Sequence, residues 1–190
     1  MSGTWSRILG RLDAMIDGVI EWDHRMVRRI SGIAFLKKFN RLFLSATYLG
    51  DGYLWGGLGL GLILFGRSID RYYVLIGLGV TIVNVGVFRI IKVLVGRVRP
   101  TESLPRLRSR VIDGYSFPSG HATTSFGLAW VVSQSYPILG IQAAIYAVAA
   151  TIAFSRVYVR EHYPIDVVFG AGLGTLVAAL LFPLFRWAFL

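Results

Sequence analysis

Five apolar stretches constrain this chain more than any other feature. Residues 52–66, 74–96, 122–135, 138–158 and 164–185 are each dominated by aliphatic, aromatic and small residues. A crossing of the bilayer takes about 20 residues of helix, with roughly 17–25 the usual range. The first and third stretches are short by that measure and need flanking residues to complete a crossing. The reading is an all-α integral membrane protein built as a bundle of about five transmembrane helices, with four or six as the alternatives. The 55% hydrophobic content and the mean hydropathy of +0.61 fit such a bundle and are too apolar for an ordinary soluble domain. The length of 190 residues asks for no second core.

Ahead of these stretches the pattern changes. In residues 5–29, Ile8, Leu12, Met15, Ile16, Val19, Ile20 and Trp22 recur at near-helical spacing with charges between them, and Arg25, Arg28 and Arg29 follow. Residues 35–49 interleave Phe35, Leu36, Phe39, Leu42 and Phe43 with Lys37, Lys38 and Arg41. Cations at the bilayer centre cost about 2.5–3.5 kcal/mol each on insertion scales. Both segments therefore read as amphipathic interfacial helices. The expected organisation is residues 1–50 as interfacial helices and residues 51–190 as the transmembrane bundle. No cleavable leader is apparent. The absence of cysteine rules out disulfides and thiolate metal sites. A net charge of +10 points to anionic headgroups or an anionic substrate, and the apolar runs leave no room for a nucleic-acid module.

The ionisable residues beside the spans are not scattered. Lys92 and Arg99 close one span, His121 opens the next, Arg156 closes another, and His162 with Asp166 opens the last. Helices that alternate in direction bring all four ends to one side of the membrane. Such a cluster suits an anion and carries acid–base capacity. Arginine recognises phosphate with a planar fork, and lysine adds a point charge.

The internal spacings make the pattern specific. Lys92, six residues, then Arg99-Pro100; the tetrapeptide Pro118-Ser119-Gly120-His121; and Ser155-Arg156, five residues, His162, three residues, Asp166 follow in order. Together they resemble the three motifs of the type 2 phosphatidic acid phosphatase family, over a core from about residue 51 to the end. The resemblance implies a phosphatase acting on a lipid through a phosphohistidine. It gives His162 as nucleophile, Asp166 as the carboxylate that orients its ring, and His121 as general acid and later base. Lys92, Arg99, Arg156, Ser119 and the Gly120 N–H would bind the phosphate. The departure is upstream, where members with six spans have a further crossing and this chain has charged amphipathic segments.

Other residues are assigned more plainly. Gly57 with Gly61, and Gly170 with Gly174, read as helix-packing pairs. Arg89 is either structural or paired with an acid. Asp51 either contacts an active-site arginine or caps its helix. Arg97, Arg106, Arg108, Arg110 and Arg160 are expected to meet headgroups or solvent, and Asp113 and Glu161 to balance charge. His24 is given no role. The two active histidines lack the spacing and the carboxylate cluster of a metal site, so no metal or cofactor is expected. Partners are a lipid phosphate and membrane lipids. Phosphatidic acid, phosphatidylglycerol phosphate, a polyprenyl diphosphate and a phosphorylated lipid A all fit as substrates. A lipid phosphotransferase using the same site is the alternative, and a lipid or anion transporter a more distant one.

Topology is read from two opposed signals. Eight Lys or Arg precede Leu49 on the side of the active site, and the positive-inside tendency would place them in the cytoplasm. The resemblance implies a multi-pass protein of the bacterial inner membrane with its site on the periplasmic face. Part of the basic excess serves the site and does not report topology, so the second reading is preferred.

Overall fold

The computed structural model describes residues 2–100 and 114–189. Arg106, Arg108, Arg110 and Asp113 lie outside the described residues. Each apolar stretch forms a helix: α4 (Leu54–Phe65), α5 (Ser68–Val95), α6 (Gly120–Ser135), α7 (Leu139–Tyr158) and α8 (Pro164–Phe189). Upstream lie α1 (Ser2–Gly32), the short α2 (Ala34–Lys37) and α3 (Asn40–Tyr48). Among the described residues, α5, α7 and α8 are long and apolar enough to cross a bilayer unaided. With 12 and 16 residues, α4 and α6 fall below the usual span. A π-helical turn at Leu49–Tyr53 joins α3 to α4, with a kink at Gly52, whose φ of 112° is non-helical.

Helix α6 packs against α5, α7 and α8. One apolar core joins Ile76 and Val80 of α5, Val131 of α6, and Ala178 and Phe182 of α8. The contact of α8 with α6 depends on glycine. A Cβ at Gly170 would lie 2.7 Å from the Ser119 carbonyl oxygen, and one at Gly174 would lie 1.9 Å from that of Thr123. This is the close backbone approach that small residues four apart permit. The other pair behaves differently: Gly57 and Gly61 face open space, so they do not pack a helix interface here.

The N-terminal helices are only partly surface elements. Met15, Ile16, Val19, Ile20 and Trp22 of α1 are exposed, as an interfacial stripe requires, but Asp23 and Val27 are buried. Val27 packs with Val157 and Tyr163. Lys37, Lys38 and Arg41 remain exposed, while Phe43, Ala46 and Thr47 are buried. Phe43 lies against Phe154 and Tyr158 of α7, and the Thr47 and Ser155 hydroxyls are 2.8 Å apart. Residues 43, 46 and 47 share one helical face, and that face meets α7 instead of the headgroups.

Candidate active site

The end of α5, the start of α6, the end of α7 and the start of α8 converge, and their functional side chains surround one cavity. Lys92, Arg99, Gly120, His121, Arg156 and His162 all line it. Each arrives by a definable local device. Gly96 ends α5 in the left-handed region (φ 62°), its N–H bonding the Lys92 carbonyl oxygen at 2.9 Å. The buried Lys92 Nζ donates to the Tyr115 carbonyl oxygen at 2.8 Å, which ties the helix end to the returning loop. Val98 bridges Tyr115 just outside, so Arg99 is held beside the site.

Ser119 is the N-cap of α6, where its hydroxyl faces the Ala122 N–H. Its own N–H donates to the Asp166 carbonyl oxygen at 3.0 Å, and its side chain is fully buried. The Ser119 side chain thus lies behind the cavity wall, and Gly120 lines it. A Cβ at Gly120 would stand 2.9 Å from the Phe88 ring, so the residue there must be small.

His162 follows α7 through a tight turn. Arg160 adopts φ 62°, and the N–H groups of Glu161 and His162 both bond the Arg156 carbonyl oxygen, at 3.0 and 3.1 Å. His162 is 2% exposed, and burial holds its imidazole well below the usual 6.5, helped by the neighbouring cations Arg156, Arg99 and Lys92. Such surroundings favour the neutral ring. Its Nδ1 stands 3.7 Å from Asp166 Oδ2, beyond hydrogen-bond range.

Asp166 has firmer partners. Oδ1 accepts from Arg97 Nη1 at 2.6 Å, and Oδ2 accepts from the Tyr163 N–H at 2.9 Å. Arg97 also donates through Nη2 to the buried Asp23 Oδ2 of α1 at 2.7 Å, while its guanidinium sits 4.1 Å from the Tyr163 ring centroid. Asp23 in turn accepts from the Ile165 N–H at 3.2 Å. The expectation that Arg97 meets headgroups or solvent is thus overturned. Two buried carboxylates and an aromatic face hold it inside the protein, and they push its affinity for its proton higher still against the opposing effect of burial. His24, given no role from sequence, packs edge-on against Tyr163 with ring centroids 4.7 Å apart.

Two further acids belong here. Glu161 is buried; Arg99 donates to its Oε2, and Arg156 Nη2 lies 3.9 Å from that oxygen. It does more than balance charge at a surface, because it fixes the geometry of two cations. Asp51 Oδ1 lies 2.7 Å from His121 Nε2, a partner that neither sequence reading gave it. Arg89 is exposed on the cavity wall. Arg160 reaches back to α1, its Nε donating to Ser31 Oγ at 2.8 Å. The available signals were slight: an acid within a basic amphipathic helix, an arginine two positions before Arg99, and a glutamate next to His162.

Beyond the polar cluster the cavity runs between α4, α5 and α6, with a volume of about 1400 Å³. Leu62, Val74, Leu78, Val85, Leu128 and Val132 make its walls apolar, and Tyr73 and Tyr136 line it near the far ends of α5 and α6. From Tyr73 to Lys92 the α5 axis rises roughly 28 Å at 1.5 Å per residue. Trp55 Nε1 donates across to Ser125 Oγ at 3.1 Å, linking α4 to α6.

Comparison with known proteins agrees with this geometry. The chain is 33% identical over 110 residues to a lipid A 4'-phosphatase of Bacteroides thetaiotaomicron, a match covering 54% of this chain and 49% of that protein. It thus spans about half the length of that relative. It is 30% identical over 150 residues to an undecaprenyl-diphosphatase of Sulfolobus acidocaldarius, covering 74% of this chain and 68% of the relative. Among solved structures, Aquifex aeolicus LpxE superposes with a TM-score of 0.61 at 25% identity, covering 84% of this chain and 93% of that one. A transmembrane PAP2-type phosphatidylglycerolphosphate phosphatase from Bacillus subtilis gives 0.69 at 24% identity, covering 97% and 96%. The PAP2 superfamily model matches residues 72–190, a range that contains the four converging helix ends and all eight residues that the motifs single out. With that match over more than half its length, this chain belongs to the PAP2 superfamily.

Proposed function

We propose that the chain is a multi-pass membrane phosphatase that hydrolyses a lipid phosphomonoester or diphosphate through a phosphohistidine. The observation that carries this reading is the joining of two environments in one cavity. A cluster of Lys92, Arg99 and Arg156 beside His121 and His162 opens into a long apolar groove. A phosphate headgroup fits the first and a lipid tail the second.

In the first step the neutral His162 ring attacks phosphorus. The bond from phosphorus to the lipid oxygen breaks, and that oxygen leaves with a proton from His121. Asp166 stabilises the positive ring that results. In the second step His121 takes a proton from water as the water oxygen attacks the phosphohistidine. Phosphate departs and His162 is restored. Lys92, Arg99 and Arg156 bear the charge on the phosphoryl oxygens, the part a divalent ion plays in other phosphoryl-transfer sites. The carboxylates near the site are already engaged, Asp166 by Arg97 and Glu161 by Arg99. This supports a metal-independent reaction.

Groove length bears on the substrate. The hydrocarbon core is about 30 Å thick, so an acyl chain from one leaflet reaches only its middle. A groove that follows α5 for roughly 28 Å accommodates a longer, linear tail. This favours a polyprenyl phosphate or diphosphate over phosphatidic acid, phosphatidylglycerol phosphate or a lipid A.

The test is kcat/KM for purified enzyme over a panel of these lipids, with EDTA and vanadate arms. We expect phosphate release from the polyprenyl substrate to be fastest, to survive EDTA and to be blocked by vanadate. Loss of all turnover in EDTA, restored by magnesium or zinc, would refute metal independence. Absence of phosphate release from every lipid would favour a transporter, and transfer to an added lipid acceptor a phosphotransferase. We place the site on the periplasmic face of the bacterial inner membrane. Because the chain has no cysteine, a single Cys at Gly114 would report the side of the membrane by its reaction with an impermeant reagent.

A further inference from the structure

The turn between α3 and α4 brings Gly50 and Asp51 against His121 and kinks at Gly52. Gly50 leaves no room for a side chain: a Cβ there would lie 2.6 Å from Ile152 Cγ2 and 2.9 Å from His121 Cδ2. Gly52 adopts φ 112°, a conformation that L side chains rarely take. Asp51 stands between them, 2.7 Å from His121 Nε2, with both side chains on the cavity. The approach is close but outside hydrogen-bond geometry, and it becomes a charge pair when the ring is protonated. The kink thus brings a carboxylate to one imidazole, and Gly50 clears a space for the ring.

The surroundings of that ring explain why a carboxylate is needed. Arg156 from α7 and Arg99 from the segment after α5 act on His121, as does Asp51 from the π turn. His162, on the turn after α7, is coupled to His121 as well. Lys92 of α5 lines the same cavity. Cations raise the cost of protonating the ring, yet a general acid must carry a proton when the ester bond breaks. Two buried acids near the site, Glu161 and Asp166, are paired with Arg99 and Arg97. Among the described residues, Asp51 is the carboxylate within ion-pair distance of His121.

We propose that Asp51 is the positioning residue of His121, orienting its ring and stabilising the protonated form that gives its proton to the leaving oxygen. The inference rests on the reading of His121 as the general acid. Asp51 thereby stands to His121 as Asp166 stands to His162, and the site is a pair of acid–histidine dyads with opposite tasks. The first serves the ring that gives a proton and the second the ring that attacks phosphorus.

The test compares Asp51→Asn, Asp51→Glu, Gly50→Ala and His121→Ala on two substrates, a long-chain alkyl phosphate and an aryl phosphate. Alkyl leaving groups need a proton, and aryl ones leave without it. General acids contribute about 100- to 10,000-fold, so weakening one should cost about 10- to 100-fold on the alkyl substrate and under about 3-fold on the aryl one. The alkaline limb of kcat on the alkyl substrate should move to lower pH in Asp51→Asn. Asp51→Glu should recover much of the loss, and Gly50→Ala, which displaces the ring, should copy the selectivity. Retained vanadate binding checks that each variant is folded. Equal losses on both substrates, or an unmoved alkaline limb, would overturn the role of Asp51 if His121→Ala still discriminates between them. Equal losses in His121→Ala itself would instead remove the general-acid reading on which the inference stands.

Discussion

Arg97 holds Asp166 more closely than His162 does: Nη1 reaches Oδ1 at 2.6 Å, whereas His162 Nδ1 stands 3.7 Å from Oδ2. The carboxylate proposed to orient the nucleophile is thus itself oriented from behind. Replacing Arg97 with Gln should release it. A misplacement of ~1 Å can cost about 100-fold in rate, so we expect kcat to fall about 10- to 100-fold while KM changes by less than about 3-fold. Steady-state kinetics on a lipid phosphate check this, and a loss confined to KM would place Arg97 at the substrate instead.

The other arm of Arg97 reaches α1, which alters the role expected for the N-terminus. From sequence, the N-terminal helices dock on anionic lipid without supplying catalytic groups, so deleting residues 2–30 would weaken activity on a long-chain lipid in bilayers more than on a short-chain soluble substrate. With Asp23 buried and bonded to Arg97 Nη2 at 2.7 Å, we now expect the deletion to impair soluble and bilayer substrates alike. Asp23→Asn in the full-length chain separates the effects. It keeps the amphipathic stripe and should lower turnover on both substrates by about 3- to 10-fold, a fraction of what a ~1 Å misplacement of the reacting groups costs. Unchanged activity on the soluble substrate would restore the purely docking role.

The depressed proton affinity of His162 has a definite sign. In the proposed mechanism the neutral ring attacks, and the ring stays neutral at every pH above its lowered value. Phosphohistidine formation should hold as pH falls through 6.5 and fail only in more acidic solution. Arg99 is one of the cations that keep protons off the ring, so Arg99→Gln should move the acid limb to higher pH as well as slow the reaction. Rapid-quench measurement of the phosphoenzyme from pH 4.5 to 8, with substrate ionisation titrated separately, gives the answer. A wild-type limb at or above 6.5 would contradict the environment described.

The glycine pairs make a contrast in stability. Gly174→Ala drives a methyl group against the Thr123 carbonyl oxygen, which a Cβ would approach to 1.9 Å. Overpacking of this kind costs about 1–3 kcal/mol, and the displaced α8 carries Asp166 with it. Gly57→Ala and Gly61→Ala meet open space and gain the better helix propensity of alanine, about 1 kcal/mol in a helix interior. Thermal unfolding in detergent should separate the first variant from the other two by several degrees.

The motif residues were legible because their spacing along the chain encodes where they meet. A helix end repeats its chemistry at fixed intervals, and four ends that alternate in direction share a side. The partners of those residues were illegible for the complementary reason. Asp23 lies 74 residues from Arg97, and Glu161 lies 62 from Arg99, so no local pattern links them. Asp23 also sits in a helix whose apolar stripe argues for a surface element, and that stripe hides the one acid on the buried face. The capping role of Ser119 was equally hidden, because a motif names the residue and not the direction its hydroxyl takes. Asp51 lies 70 residues from His121, so their approach had no local signal either.

The groove along α5 bears on the direction of the chemistry. If the reaction proceeds as proposed, the two fragments have different exits. The freed lipid can slide back along the apolar walls between α4 and α5, while inorganic phosphate leaves from the cationic end into water. Resynthesis would require an amphiphile and a small ion to return from separate phases and meet again at His162. Dilution of one product in the aqueous volume, with the other confined to two dimensions, would make each turnover a ratchet without any moving part.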